Sequence, residues 1–272
     1  MSKTKRTFLK WAGNKTSVVH RLHPYILSHH RLVEPFAGSC AVSLNIDCYK
    51  YWLNDLNKDL INCYNFIIGN DSAISKLKEL FIPENNTGIR YYELRNLFNR
   101  TNNSDEKAIL FIWLNRHCFN GLCRYNSKGE FNSPFGYYEN PYFPEEEIKM
   151  FKQHFRSAKF TNLSYEAVLK NCKKGDLVYC DPPYLPLSKS ANFTAYAGNK
   201  FGTEEHKELV RHIERTIKKG VDVIISNHHT PVSKNLYRHA AKIELFKVKR
   251  LISSKTKSRL PVEELLAVFK HR

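Results

Sequence analysis

Asp181-Pro182-Pro183-Tyr184 is the stretch of this sequence best suited to chemistry, because it follows directly on the apolar run Leu177–Cys180. It sets a carboxylate and a rigid turn at the carboxyl end of a strand, where open α/β sheets bind ligands. One reaction that needs such a pair is methyl transfer to an exocyclic amino group. The amino lone pair is delocalised into the ring, so the nitrogen attacks poorly until it is polarised. Asp181 and the carbonyl of Pro182 can each accept a hydrogen bond from that group, an effect largest where charge develops in the transition state. The two prolines hold the acceptors still, and Tyr184 offers a face for a planar base. A proline-rich turn closed by a satisfied aspartate is the plainer alternative.

Three further stretches could serve a ligand. Val33-Glu34-Pro35-Phe36-Ala37-Gly38-Ser39-Cys40 is an apolar strand ending in a turn, where Gly38 would let backbone approach a ligand closely. It is not G-x-G-x-x-G, so a dinucleotide reading is weak. Leu53-Asn54-Asp55-Leu56-Asn57 ends the next β run with an acid 17 residues after Gly38. An acid at about that distance holds ribose hydroxyls in nucleotide-type cofactors. Phe8-Leu9-Lys10-Trp11-Ala12-Gly13-Asn14-Lys15 mixes aromatic and basic residues, and alone it decides nothing.

The elements that must position these residues are read from hydrophobic pattern. Leu32–Phe36, Tyr51–Asn54, Lys159–Leu163, Leu177–Cys180 and Val221–Ser226 are short apolar runs of the kind that buried parallel strands show. Glu204–Lys218 has helical spacing, with Thr203 as N-cap and Gly220 beyond its end. The last sixth reads as two β runs, Ile243–Ile252 and Val262–Lys270, forming an antiparallel edge hairpin around a basic turn. The fold class expected is α/β: a Rossmann-like, mostly parallel sheet with an edge hairpin. Residues 57–144 break the rhythm with helical stretches at Leu60–Ile67, Ile89–Phe98 and Lys107–His117, then a loop dense in Asn, Gly, Tyr and Arg. They read as a mainly helical recognition insert between 1–56 and 145–272.

Composition narrows the partner. There are 43 basic and 26 acidic residues, a net charge of +17, and such an excess attracts polyanions, nucleic acid first. Seven cysteines without a C-x-x-C pair argue against a disulfide framework and for a reducing, cytoplasmic setting. The opening residues lack a signal-peptide core, and no apolar run nears the roughly 20 residues that span a bilayer. The histidines at 20, 23, 29, 30, 228 and 229 lack the ligand spacing of a metal site, so no metal is expected.

The order FLKWAGNK, LVEPFAGS, LNDLN, long insert, DPPY resembles the Dam family of DNA adenine-N6 methyltransferases. The likeness extends through LFIWLNRHCFNGLCRYNSKGEFNSPFG, PYFPE, YCDPPYLPLSKSANFTAY, ISNHHT and KVKRLISS, about residues 6 to 270. DPPY is shared by several methyltransferases; the match through the insert is specific. The resemblance implies S-adenosyl-L-methionine as cofactor, double-stranded DNA as partner, GATC as target and a monomer. A bacterial or phage setting follows, with links to DNA replication and mismatch repair. It implies that Trp11, Lys15, Asp55 and Asp181 bind the cofactor, with Glu34, Phe36, Ser164 and Tyr165 near the same pocket. Asp181, Pro182 and Tyr184 would hold an adenine flipped out of the duplex. In the insert Arg124 would read guanine in the major groove, Leu122 and Pro134 a thymine methyl, and Lys10 the outer guanine. Phe119 and Asn120 would fill the space beside the vacated base. Arg95, Arg116, Asn126, Asn132 and Tyr138 would contact phosphate or act as scaffold. This chain departs from the family in having Phe119 for an intercalating Tyr, Tyr137 for an Arg and Asn14 for a second Gly. Cytosine N4 or RNA adenine as target, or a DNA binder without turnover, are the rival readings.

Overall fold

The seven strands hydrogen-bond in the order β3-β2-β1-β4-β5-β7-β6. They are β1 (Arg31–Glu34), β2 (Lys50–Asn54), β3 (Lys159–Thr161), β4 (Asp176–Cys180), β5 (Asp222–His228), β6 (Lys242–Val248) and β7 (Val262–Phe269). The coordinates are a computed structural model that describes residues 4–13, 15–26, 29–186, 201–248 and 262–271. The first five strands are parallel, while β7 runs antiparallel to both β5 and β6. All five expected parallel strands and the edge hairpin are present. Of the expected run Ile243–Ile252 the last four residues lie outside the described ones, as do Asn14 and the whole basic hairpin turn.

Alternation along these strands explains why they read as continuous apolar runs. Leu32, Leu177, Tyr179, Ile224 and Leu266 point into one core, and Val33, Val178, Cys180, Ile225 and Leu265 into a second on the other face. The first core is aromatic, packing Phe8, Tyr64, Phe151 and Phe155 edge-on and stacked. The helices are α1 (Val19–Ile26), α2 (Ala41–Leu44), α3 (Lys58–Gly69), α4 (Ala73–Leu80), α5 (Gly88–Arg100), α6 (Ser104–His117), α7 (Glu145–His154), α8 (Tyr165–Lys170), α9 (Thr203–Ile217) and α10 (Pro231–Leu236). Of these, α8 and α9 cover the second face, while α3, α5 and α6 pack together on the first. Among the described residues no helix is long and apolar enough to cross a membrane.

Several boundaries differ from the sequence reading for local reasons. The N-cap of α9 is Gly202, not Thr203: Glu205 reaches back and its carboxylate accepts the Gly202 N–H at 2.8 Å. β1 stops at Glu34, ahead of Pro35, which has no N–H to give the ladder. β3 stops at Thr161 because the Asn54 side chain replaces the ladder. Its Oδ1 accepts from Leu163 N at 2.9 Å and its Nδ2 donates to Leu163 O at 3.0 Å. Helix α6 begins three residues earlier than the periodicity suggests, because Asn103 caps it through bonds from the N–H groups of Asp105 and Glu106.

Candidate active site

The carboxyl ends of β1, β2 and β4 open into one cavity of about 720 Å³. Its lining includes Trp11, Lys15, Glu34, Phe36, Asp55, Ser164, Tyr165, Asp181, Pro182 and Tyr184, so five stretches, the outermost residues 173 positions apart, meet there.

The turn after β1 is built around Gly38, at φ +47°, a left-handed backbone that favours glycine. A Cβ at that position would lie 3.0 Å from Nε1 of Trp11, so any larger residue there would push the indole back from the turn by a few tenths of an ångström. Asp55 ties the two strand ends together: Oδ2 accepts from Gly38 N and Oδ1 from Asn57 N, each at 2.9 Å. Tyr64 donates from the other side to Gly38 O at 2.6 Å. Burial raises the proton affinity of Asp55, and the N–H groups of Asn57 and Gly38 oppose it. Glu34, buried at the end of β1, accepts from Ser43 N at 2.9 Å and from the Ser43 hydroxyl. Desolvation pushes its pKa up to about 8.

Asp181 emerges from β4 into the same cavity. Its Oδ1 accepts from the Ser226 hydroxyl at 2.8 Å and lies 3.4 Å from the Lys15 ammonium. Burial raises its pKa, with Lys15 and Ser226 acting in the opposite direction. The same ammonium sits 4.2 Å above the Tyr184 ring, whose hydroxyl donates to Glu264 at 3.2 Å. At the far wall Phe36 stacks on Tyr165 at 5.5 Å, and Phe201 meets both rings edge-on. Ser164 caps α8 by accepting from Ala167 N.

Glu264, His228, Phe201, Tyr179 and Ser226, which border or underlie this cavity, escape the sequence reading. Most come from β5 and β7, whose nearness to β4 depends on sheet order and not on chain order. The readable signal was Glu263-Glu264 interrupting an otherwise apolar final strand.

Lys10 leads from the cavity to the insert. Its backbone is locked to Asn115 by two bonds, 2.9 and 2.7 Å, and its ammonium sits 4.1 Å over the Tyr138 ring. Burial, then the neighbouring Arg116, lower its pKa. From Cys118 a two-stranded ribbon runs out and back, bridged at Cys118–Phe135 and Tyr125–Phe131. Phe119, Asn120, Arg124 and Pro134 are exposed on it and Leu122 is half-buried. Asn120 holds φ +53° and its N–H bonds Tyr138. Arg124 is braced by Asn132, which accepts from Nε at 2.8 Å. Asn126 closes the ribbon turn, accepting from the N–H groups of Lys128 and Glu130. Arg95 donates to Ser133 O at 3.1 Å, while Arg116 is buried beneath Tyr142. Tyr137 is exposed.

This sheet order, with ligand-facing turns at the ends of β1, β2 and β4, is that of the Rossmann-like methyltransferases. Residues 11–252 match the model of the D12 class N6 adenine-specific DNA methyltransferases. The chain is 44% identical to a DNA adenine methylase of Vibrio cholerae serotype O1, over 98% of this chain and 97% of that one. It is 43% identical to a DNA adenine methylase of Escherichia coli K12, over 98% and 96%. A precorrin-6y C5,15-methyltransferase structure from Geobacter metallireducens aligns over 93% of this chain and 87% of that one, at 8% identity and a TM-score of 0.41. The chain belongs to the D12 class of N6 adenine-specific DNA methyltransferases. It is therefore an adenine-specific DNA methyltransferase.

Proposed function

We propose that the enzyme methylates N6 of adenine within GATC in double-stranded DNA, on a base rotated out of the helix, by one direct in-line transfer. What carries this reading is the convergence of Asp181-Pro182-Pro183-Tyr184 with Trp11, Gly38 and Asp55 on one cavity. At about 720 Å³ it has the size of a pocket for a nucleoside-type cofactor with a base beside it. Its chemistry fits as well: a carboxylate beyond Gly38 suits ribose hydroxyls, and aromatic walls at Trp11, Phe36 and Tyr165 suit an adenine ring.

S-adenosylmethionine supplies an electrophilic methyl on a sulfonium. The protein's own part is to position and polarise. Tyr184 stacks on the target base, and Asp181 and the Pro182 carbonyl accept from its amino group, concentrating the lone pair on N6. Asp181 must be ionised to do so, and Lys15 beside it favours that charge. After transfer N6 sheds a proton, for which Asp181 is the base at hand. The cysteines take no part; burial pushes the Cys180 thiol well up.

Residues 57–144 are the recognition module in this reading, and 1–56 with 145–272 the catalytic domain. Arg124, braced by Asn132, reads guanine; Leu122 and Pro134 meet the thymine methyl; Lys10 reads the outer guanine. Phe119 and Asn120 take the space the flipped base leaves. Arg95, Arg116, Asn126 and Tyr138 hold the surface that meets phosphate. Plasmid DNA incubated with enzyme and cofactor, then cut with nucleases that require or refuse methylated GATC, tests this. Full conversion at GATC is expected; methylated adenine in other contexts, with GATC untouched, would overturn the specificity.

A further inference from the structure

We infer that Ser226 is a positioning residue for the methyl transfer, fixing the Asp181 carboxylate and keeping it charged through a buried chain of two hydroxyls. The inference rests on the reading of Asp181 above and extends it to a residue on another strand.

The geometry leaves little freedom. The last registered pair between β4 and β5 is Cys180 with Ile225, so Asp181 and Ser226 are the next step along the two strands. Ser226 is fully buried, and its Oγ stands 2.8 Å from Asp181 Oδ1 and 3.0 Å from the Tyr179 hydroxyl. An ionised carboxylate only accepts, so Ser226 donates its one proton to Asp181, and Tyr179 must then donate to Ser226. The result is a directed chain, Tyr179 to Ser226 to Asp181, inside the sheet. In such a dry setting each bond polarises the next, and hydrogen bonding to the charged form of a carboxylate favours that form.

The Asp181 carboxylate needs this support. Burial disfavours its charge. The groups that face it are Lys15 from the opening segment, Tyr179 and Tyr184 from β4 and its turn, Ser226 from β5, Glu34 from β1 and, through Tyr184, Glu264 from β7. Lys15 is the cation among them, but its ammonium lies 3.4 Å away and is shared with the Tyr184 ring. Ser226 makes the shorter contact, from a rigid strand. Removing its hydroxyl should let the carboxylate turn and take up a proton at higher pH.

The test is single-turnover methylation of a short GATC duplex at saturating enzyme and cofactor, across pH, with thermal melting as a control for folding. Ser226→Ala should lower the rate about tenfold near neutrality and move the acid limb of the profile up by about half to one pH unit. Both KM values should stay within about twofold. Ser226→Thr, which keeps a hydroxyl, should restore the limb. A folded Ser226→Ala enzyme whose acid limb stays in place would overturn the inference. If that variant fails to fold, Tyr179→Phe decides. It leaves the serine in place and should move the limb the same way by less, and an unmoved limb would be equally fatal. Asp181→Asn separates the two levels. If it keeps most of the rate, the reading of Asp181 itself fails. If it is inactive while the serine and tyrosine variants leave the limb unmoved, only the inference about Ser226 fails.

Discussion

Burial raises the proton affinity of Glu34, Asp55 and Asp181 alike, and what distinguishes the three is the partner that answers it. Asp55 is answered by backbone N–H groups, so it joins two turns at the cavity wall, where the function proposed above makes it an acceptor for hydroxyls. Asp55→Ala should therefore raise the KM for S-adenosylmethionine about 30-fold or more while kcat changes less than about threefold. A fall in kcat with KM unchanged would put Asp55 at the chemistry and not at the cofactor. Glu34 is answered by Ser43 alone, and its pKa climbs from 4.5 to about 8. The folded protein thus holds a proton that the unfolded chain releases. The stabilisation is present in full below 4.5 and is lost as pH rises to about 8, at a slope of up to roughly 1.4 kcal/mol per pH unit. Glu34→Gln cannot release that proton. Urea unfolding at about pH 5 and pH 7.5 should show the wild type losing more stability across the interval than the variant. Equal losses would mean that Glu34 titrates normally.

At the scale of elements, the ribbon after α6 is held to the opening segment by one tight contact. Gly121, at φ +67°, lies against Lys10, and a Cβ there would fall 2.3 Å from Lys10 Cβ. Lys10 cannot yield easily, since its backbone is bonded twice to Asn115. Gly121→Ala should cost about 1–3 kcal/mol of stability, seen in the melting temperature, and weaken DNA binding more than cofactor binding. Unchanged DNA affinity would separate the ribbon from recognition. The same contact shows where sequence reading reaches its end. The parallel strands were legible because both faces are buried, which leaves apolar runs such as Leu177–Cys180. Helices α4 and α7 were not: α4 buries only Ala73 and Leu77, and α7 opens on Glu145, Glu146 and Glu147. The motif residues on β1, β2 and β4 announce themselves by following apolar runs. Ser226 and Glu264 act across strand neighbours that no local pattern specifies. The meeting of Gly121 and Lys10 needs the packed chain, since 111 residues separate them.

For the whole molecule, a net charge of +17 makes attraction to DNA nearly independent of sequence. The question is then where discrimination arises. If about six phosphates are neutralised, affinity falls with a log–log salt slope near −5, so roughly a thousandfold between 50 and 200 mM salt. Duplexes with and without GATC share that backbone term, and both should weaken together. On the function proposed above, direct base contacts through Arg124 and its neighbours set their ratio, which should change less than about threefold over the same range. Arg124→Ala should shrink the ratio by the worth of one guanine contact, about 1–3 kcal/mol, and alter the slope by no more than about 1. The brace from Asn132 orients the guanidinium, so Asn132→Ala should act in the same direction with a smaller loss. Equilibrium binding of both duplexes to the wild type and the two variants, at four salt concentrations, separates the contributions. A ratio that collapses as salt rises would place discrimination in the phosphate contacts. A loss at Arg124 that is uniform across sequences would make that arginine one more backbone clamp.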